Sequence, residues 1–173
     1  MHQSELDYLV LAMQEGNERA FRIVFQLYHS PLLRYAYRIC NHQQLAQDAV
    51  QNAWMQLARN IRQLDDPRAL RAWLYRSVRW QAIDLLRAAR RQRDTTEPFE
   101  NAEQPIDEDA IMDSEALHQA IGRLPPLERQ VIHLYYLDEL TVDEIAAVAE
   151  LAPGTVKSRL FRARKLLKER FDV

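Results

Sequence analysis

Glycine is almost absent from this chain, which has only 3 glycines among 173 residues. Tight hairpins and phosphate-binding loops depend on glycine where other side chains are sterically excluded, so few of either are expected. The chain is rich instead in alanine, leucine, arginine, glutamine and glutamate, which favour helices. Because 47% of the residues are hydrophobic, there is enough apolar side chain for buried cores. We therefore predict an all-α protein without strands.

Apolar residues recur at helical spacing through the N-terminal half of the chain. The clearest stripe consists of Ala46, Ala49, Val50, Ala53, Trp54, Leu57 and Ile61. Such a stripe predicts a helix that faces a core. Asp66 and Pro67 then have the residue types of an N-cap and a first helical position, which predicts a long helix to about residue 91. Residues 1–94 are therefore predicted to form a bundle of about four helices.

Charge divides the chain into three parts. Residues 1–95 contain 14 arginines against 9 acidic residues, residues 96–115 contain 8 acidic and no basic residues, and residues 116–173 contain 9 basic against 8 acidic residues. The acidic stretch also has two prolines and few apolar residues, so we predict a flexible acidic linker over residues 95–112. It joins two small helical domains, residues 1–94 and residues 113–173.

A helix-turn-helix is predicted in the second domain, after a first helix near residues 113–124. Thr141 and Glu144 have the spacing of a capping box in front of an apolar run, so a helix is expected to begin there. The segment LAPG, residues 151–154, is rich in helix breakers and is predicted to be a turn, after which Thr155 caps the last helix. This order is that of a DNA-binding helix-turn-helix.

The last helix is basic on one face. Its cations are Lys157, Arg159, Arg162, Arg164, Lys165, Lys168 and Arg170. The opposite, apolar stripe consists of Val156, Leu160, Ala163, Leu166 and Leu167. Such a helix suits the major groove, where arginine and lysine read guanine O6 and N7 while phosphate contacts fix the register. The alternative is a merely solvated basic helix, which the capped helix and turn ahead of it disfavour.

The long helix of the first domain is a second candidate surface for nucleic acid. It combines Arg76, Arg79, Arg87, Arg90, Arg91 and Arg93 with Trp73, Tyr75 and Trp80. Basic residues among aromatic rings suit a surface that binds phosphates and stacks on unpaired bases. Trp73 and Leu74 are also expected to be core residues, whereas Trp80 shares a helical face with Arg76 and Arg87 and is expected to be exposed.

Four segments together resemble the extracytoplasmic-function (ECF) sigma factors of bacterial RNA polymerase. They read DAVQNAWMQLAR, AWLYRSVRWQAIDLLRAARR, RLPPLERQVIHLYYLDELTVDEIAAVAEL and PGTVKSRLFRARKLL, in the order of the family's second and fourth conserved regions. The resemblance implies a non-enzymatic initiation factor that binds core RNA polymerase and promoter DNA. It also implies an anti-sigma factor as a partner, and neither a cofactor, a metal nor a small-molecule substrate.

The resemblance implies roles for individual residues as well. Asp48 and Gln51 match the helix face that binds the clamp helices of the polymerase. The loop that captures a flipped base of the minus 10 element corresponds to Asn60, Ile61, Arg62, Gln63, Leu64 and Asp65. The predicted minus 10 surface is completed by Arg76, Arg79, Trp80 and Arg87. The family usually has asparagine at the position of Trp80, so this side chain is expected either to stack on a base or to belong to a differently formed pocket.

In the last helix, the positions that read the minus 35 element correspond to Lys157, Ser158, Phe161 and Arg162. Phosphate-binding or structural positions correspond to Thr155, Arg159, Arg164 and Lys165.

Two other classes of function have less support. The five histidines and Cys40 lack metal-ligand spacing, and there is no glycine-rich or nucleophile motif of an enzyme. A helix-turn-helix regulator would explain the C-terminal domain but not Asp48, Gln51 and the basic, aromatic helix. Such a regulator binds duplex DNA alone, whereas a sigma factor associates one-to-one with polymerase. The chain start lacks a signal-peptide pattern and no apolar run is long enough to span a membrane, so we expect a soluble, cytoplasmic protein.

Overall fold

The computed structural model describes residues 2–93 and 115–171 of the chain. The chain divides into two compact units, residues 1–104 and 105–173. The division falls within the predicted linker of residues 95–112, which lies outside the described residues, so the flexibility of the linker stays a prediction. In the two described ranges all the regular elements are helical, as predicted for an all-α fold. No helix in these ranges has the length and apolar composition needed to cross a membrane.

In the N-terminal unit, the described residues form a bundle of helices. These are α1 (Gln3–Gln14), α2 (Glu18–Cys40), α3 (Gln43–Asn60) and α4 (Leu70–Arg93). Helices α2, α3 and α4 pack against one another, and α1 packs on α2. Two short 3-10 turns, Ile61–Gln63 and Pro67–Ala69, lie between α3 and α4. The predicted apolar stripe of α3 faces this core, and all of its residues are buried, which confirms that prediction.

Aromatic rings fill the space between α2, α3 and α4. The ring centroid of Trp54 lies 5.8 Å from that of Phe21 and 4.9 Å from that of Phe25. The centroids of Tyr35 and Tyr75 are 5.1 Å apart. Burial of such large side chains is a main source of stability in a small bundle. Tyr75 is therefore a core residue, and its predicted place on a base-stacking surface is wrong.

The start of α4 follows the predicted capping chemistry with one difference. The Asp66 carboxylate accepts a hydrogen bond from the backbone N–H of Arg68 at 3.0 Å, and Pro67 follows the cap. The first three residues form a 3-10 turn, and the α-helix begins only at Leu70. Hydrogen bonds from Arg68 lower the pKa of the Asp66 carboxyl below its ordinary value, so the cap keeps its charge to a more acidic pH than a free aspartate.

In the C-terminal unit, the described residues form the predicted helix-turn-helix behind two shorter helices. The elements are α5 (Glu115–Gly122), α6 (Pro126–Ile132), a π-helical turn (His133–Leu137), α7 (Val142–Ala149) and α8 (Pro153–Phe171). Helix α8 packs against α6 and α7. The predicted capping box is present: the N–H of Thr141 donates to Glu144 Oε2 at 2.8 Å, and the N–H of Glu144 donates to Thr141 Oγ1 at 3.2 Å.

Helix α8 begins two residues earlier than predicted. Pro153 and Gly154 lie in its first turn, and the carbonyl of Ala152 accepts hydrogen bonds from the N–H groups of Thr155 and Val156 at 2.9 and 3.1 Å. The prediction that LAPG is wholly a turn and that Thr155 caps the helix is therefore wrong. Proline suits the first helical position because an N–H there has no helical acceptor. The chain reverses instead at Glu150, which ends α7 with a left-handed φ of 56°.

Candidate nucleic-acid and protein interfaces

The predicted polymerase-binding residues lie on the outer face of α3. Gln51 is exposed, and Asp48 is half-buried and accepts a hydrogen bond from Gln44 Nε2 at 2.9 Å. One helical turn after Gln51, the side chain of Met55 is exposed. The buried stripe of α3 faces the opposite way, so this face does not contribute to the core of the bundle.

The predicted base-capturing loop forms the connection between α3 and α4. Arg62, Gln63 and Asp65 are exposed, and Asn60 and Leu64 are half-buried. Ile61 differs, because it is only 8% exposed and belongs to the bundle core. Its apolar, β-branched side chain anchors the loop, and the implied role of this position in minus 10 binding stays a prediction.

A pocket of about 230 Å³ opens beside this loop. Its lining combines three residues of α3, two residues that follow α3 and one of α4: Gln56, Leu57, Asn60, Gln63, Leu64 and Trp73. This volume is below the roughly 300–1,000 Å³ typical of pockets for drug-sized ligands, so the pocket suits a smaller group. The lining offers an aromatic ring, two leucines and three side-chain amides, which are the groups that stack on a base and bond to its edge.

One of these amides, that of Gln56, accepts a hydrogen bond from helix α4. The buried Ser77 on α4 donates a hydrogen bond from its Oγ to Gln56 Oε1 at 2.8 Å. With its oxygen engaged by Ser77, the Gln56 side chain still has an NH₂ group that can donate hydrogen bonds. An acceptor on the edge of a base would complete this interaction.

The predicted basic and aromatic face of α4 is partly formed. Arg76, Trp80 and Arg87 are exposed, Trp80 to 43%, while Arg79 is half-buried. Arg87 Nη1 lies 3.9 Å from Asp84 Oδ1, an exposed ion pair that phosphate can replace at little cost. Trp80 does not line the pocket; the tryptophan that does is Trp73, which is half-buried.

Helix α8 presents the predicted reading residues to solvent. Lys157, Ser158, Phe161 and Arg162 are all exposed, and 69% of the Phe161 surface is accessible. The predicted apolar stripe lies on the opposite side of the helix. Val156, Leu160 and Ala163 of this stripe are buried in the core, whereas Leu166 and Leu167 are half-buried. Lys165 is exposed and lies 3.9 Å from Glu169, and Thr155 is half-buried and accepts a hydrogen bond through its carbonyl from Ser158 Oγ.

A buried carboxylate lies beneath the basic face of α8. Glu128 on α6 is only 6% exposed in its side chain, and its Oε1 lies 3.7 Å from Nη1 of Arg159 and 3.7 Å from Nη1 of Arg162. Arg162 remains 70% exposed, whereas Arg159 is 25% exposed and its buried Nε has no hydrogen-bond partner among the described residues. Of the two alternatives implied for Arg159, phosphate binding or structure, these contacts favour structure. The Arg162 guanidinium approaches Glu128 through one nitrogen, and most of its side chain is accessible to solvent.

Arg164 is also engaged within its own unit. Its Nε donates to the hydroxyl of Tyr136 at 2.8 Å, and its guanidinium lies 5.5 Å from the ring centroids of both Tyr135 and Tyr136. A cation placed over aromatic rings in this way stabilises the contact between α8 and the π-helical turn. Of the two alternatives implied for Arg164, phosphate binding or structure, these contacts favour structure.

Sequence comparison assigns both units to known regions. Residues 24–92 match the family described as Sigma-70 region 2, and residues 114–167 match Sigma-70, region 4. Among similar proteins, the ECF RNA polymerase sigma factor SigW of Bacillus subtilis is 29% identical over 91% of each chain. The RNA polymerase sigma-H factor of Pseudomonas aeruginosa is 30% identical over 95% of this chain and 93% of its own.

A solved structure agrees with these assignments. The sigma factor RpoE in complex with the anti-sigma factor NepR from Bartonella quintana is similar at a TM-score of 0.68 and 25% identity, over 88% of this chain and 97% of that chain. The resemblance seen in the sequence is thereby confirmed. The chain belongs to the ECF family of RNA polymerase sigma factors.

Proposed function

We propose that this sigma factor divides promoter recognition between its two units. The N-terminal unit binds core polymerase through Asp48 and Gln51 and takes one unpaired base of the minus 10 element into the pocket beside residues 60–65. The C-terminal unit reads the minus 35 element with the exposed residues of α8. The pocket is the main support for this proposal, because its amides and the Trp73 ring match what one flipped base requires.

The function is carried out by binding alone. Sigma factors are non-catalytic initiation factors, so we propose no catalytic residue, cofactor or small-molecule substrate for this chain. We place its action in the cytoplasm, where core polymerase meets promoter DNA. Because a sigma factor of similar structure was solved with an anti-sigma factor, we also propose an anti-sigma partner that competes with core polymerase.

Reconstitution tests the function as a whole. The purified full chain is expected to associate one-to-one with core polymerase, to bind promoter DNA weakly when alone, and to start transcripts at defined sites with polymerase present. A helix-turn-helix regulator would instead bind duplex DNA tightly without polymerase, usually as a dimer. Tight duplex binding by the free chain, with no polymerase association, would exclude the proposed function.

For the polymerase interface, the double substitution Asp48→Ala and Gln51→Ala is expected to weaken binding to core polymerase about tenfold, or about 1.4 kcal/mol. Both side chains lie on the outer face of α3, so the unfolding temperature should stay unchanged. Direct titration of core polymerase measures the affinity. Gln26→Ala, which removes an exposed glutamine from α2, is the matched control and should have no effect. Equal affinity of the double variant and the wild type would remove α3 from the interface.

For the base pocket, Gln56→Leu is expected to lower the affinity of the holoenzyme for a single-stranded minus 10 element about fivefold. The reason is the loss of one donor, since a hydrogen bond contributes about 0.5–1.5 kcal/mol net. Asn52→Leu is the control, because Asn52 lies one turn earlier on α3, bonds to Gln81 at 3.3 Å and does not line the pocket. A similar loss in both variants would show that the effect is not specific to the pocket.

A further inference from the structure

We propose that Gln14, at the end of α1, is a positioning residue that holds the loop of residues 60–65 in the shape that forms the base pocket. This inference rests on the proposed function of that pocket. Gln14 does not itself line the pocket, and its bond to the lining residue Leu64 is made to the backbone carbonyl. Its contribution to promoter recognition would therefore be indirect, through the backbone of the loop.

The contact between α1 and the loop is formed by both sides. The side-chain amide of Gln14 donates two hydrogen bonds from Nε2, to the carbonyl of Ile61 at 3.1 Å and to the carbonyl of Leu64 at 2.7 Å. In return, Arg62 Nε donates to the backbone carbonyl of Gln14 at 3.2 Å. Three loop residues, Ile61, Arg62 and Leu64, are thus bonded to Gln14, which lies 47–50 positions earlier in the sequence.

The two carbonyls lie just after the end of α3, in the 3-10 turn and at the residue that follows it, where the regular α-helical hydrogen bonds have ended. The Ile61 carbonyl accepts one backbone bond from the N–H of Leu64 at 3.2 Å, and Gln14 supplies its second donor. An amide NH₂ carries two N–H groups, so a single glutamine can serve both carbonyls.

The position of Gln14 itself is fixed by the bundle. The preceding Met13 and the earlier Val10 are buried, so this end of α1 is anchored in the core. Beyond it, Gly16 takes a φ of 89° and the N–H of Asn17 returns to the carbonyl of Ala12 at 3.0 Å, which ends the helix firmly. Because α1 is anchored in the core, the hydrogen bonds of Gln14 hold the loop of residues 60–65 in a fixed position relative to the bundle.

One of the loop residues that Gln14 holds, Leu64, lines the pocket. Leu64 lines the pocket and carries one of the two bonded carbonyls, and Gln63 lies between the two bonded positions. A binding site needs support behind its contact residues to hold them within about 0.5 Å of the productive geometry. We therefore expect loss of the Gln14 amide to loosen the pocket without unfolding the bundle.

The test uses the full chain in complex with core polymerase. The probe is a forked promoter, selected by sequencing the transcripts of the holoenzyme, with each of the four bases placed in turn at every exposed minus 10 position. Gln14→Met keeps the length and the apolar stem of the side chain but removes its donors. We expect the discrimination between the preferred and the other bases to fall about tenfold at one position, which is about 1.4 kcal/mol. Affinity for core polymerase and for a minus 35 duplex should be unchanged.

Two further variants separate positioning from general damage. Gln3→Met removes a glutamine from the exposed start of the same helix, where its amide bonds to Asp7 at 2.8 Å, and should have no effect. Gln14→Lys keeps N–H donors at a similar reach and is expected to restore the discrimination ratio, even if its charge raises binding to all sequences. In the Gln14→Met variant, the amide hydrogen of Leu64 should exchange faster with solvent.

The outcome also distinguishes this inference from the pocket proposal. Trp73→Leu alters the pocket wall directly. If Trp73→Leu loses base discrimination and Gln14→Met keeps it, the pocket stands and the role of Gln14 is refuted. If both variants keep full discrimination, the base is bound elsewhere and both proposals are wrong. Loss in Gln14→Met with recovery in Gln14→Lys supports the positioning role.

Discussion

Replacing Glu128 by alanine is expected to destabilise the C-terminal unit by about 3 kcal/mol while leaving the N-terminal unit unchanged. The Glu128 carboxylate is buried between Arg159 and Arg162, and its removal leaves the partly buried guanidinium of Arg159 without a counter-charge. Breaking a buried ion pair from one side typically costs about 3–5 kcal/mol. We expect the lower end because Arg159 retains some contact with water and Arg162 is mostly exposed.

The composition of the chain offers an internal control for this measurement. The three tryptophans, Trp54, Trp73 and Trp80, all belong to the N-terminal unit, so their fluorescence follows only that unit during urea unfolding. The transition seen by tryptophan fluorescence should therefore be the same in Glu128→Ala and in the wild type. The transition of the C-terminal unit, followed by the hydrogen exchange of its own backbone amides, should move to lower urea.

Two variants test whether charge and burial are both needed. Glu128→Gln keeps the volume of the side chain and removes its charge, so a smaller loss than in Glu128→Ala is expected. Glu169→Ala breaks an exposed pair with Lys165, which should change stability by less than about 1 kcal/mol. If Glu128→Ala were no less stable than Glu169→Ala, the buried carboxylate would contribute nothing measurable to the fold.

Local chemistry in the sequence was enough to predict several parts of the fold. The capping box of Thr141 and Glu144 depends on residues three positions apart, and the apolar stripe of α3 depends on one helical period, so both predictions are confirmed. The start of α8 differs from its prediction. Pro153 and Gly154 predict a turn because both residues break helices, but proline is also a favoured first residue of a helix, and α8 begins at Pro153.

Features that depend on tertiary packing could not be predicted in the same way. The pocket combines the end of α3, the following loop and Trp73, and its loop is held by Gln14 from about 50 residues away. Sequence patterns identify the loop but not which of its side chains face inward, so the burial of Ile61 was missed. Glu128 would be interpreted locally as an acid in the first turn of α6, and only packing against α8 gives it two arginine partners.

These contacts sharpen what is expected of Arg162, the proposed reader of the minus 35 element. Arg162→Ala should lower the preference of the holoenzyme for its own minus 35 sequence over a scrambled one by about 1–3 kcal/mol, the value of a bidentate contact to guanine O6 and N7. Glu128 lies 3.7 Å from one guanidinium nitrogen, while 70% of the side chain is exposed. The carboxylate therefore restricts the motion of the side chain and leaves its other donors available for a base.

The comparison needs a residue whose loss weakens binding without changing sequence preference. Arg164 is unsuitable, because its bond to Tyr136 makes any substitution a change in packing as well as in charge. Lys165 is exposed on the same helix and forms an exposed pair with Glu169, so Lys165→Ala should weaken binding to cognate and scrambled DNA about equally. Affinities of the holoenzyme for both sequences, measured at one salt concentration, give the ratio directly. If Arg162→Ala instead lowers both affinities to the same extent, as Lys165→Ala does, Arg162 binds phosphate and the base-reading role passes to the remaining exposed residues of α8.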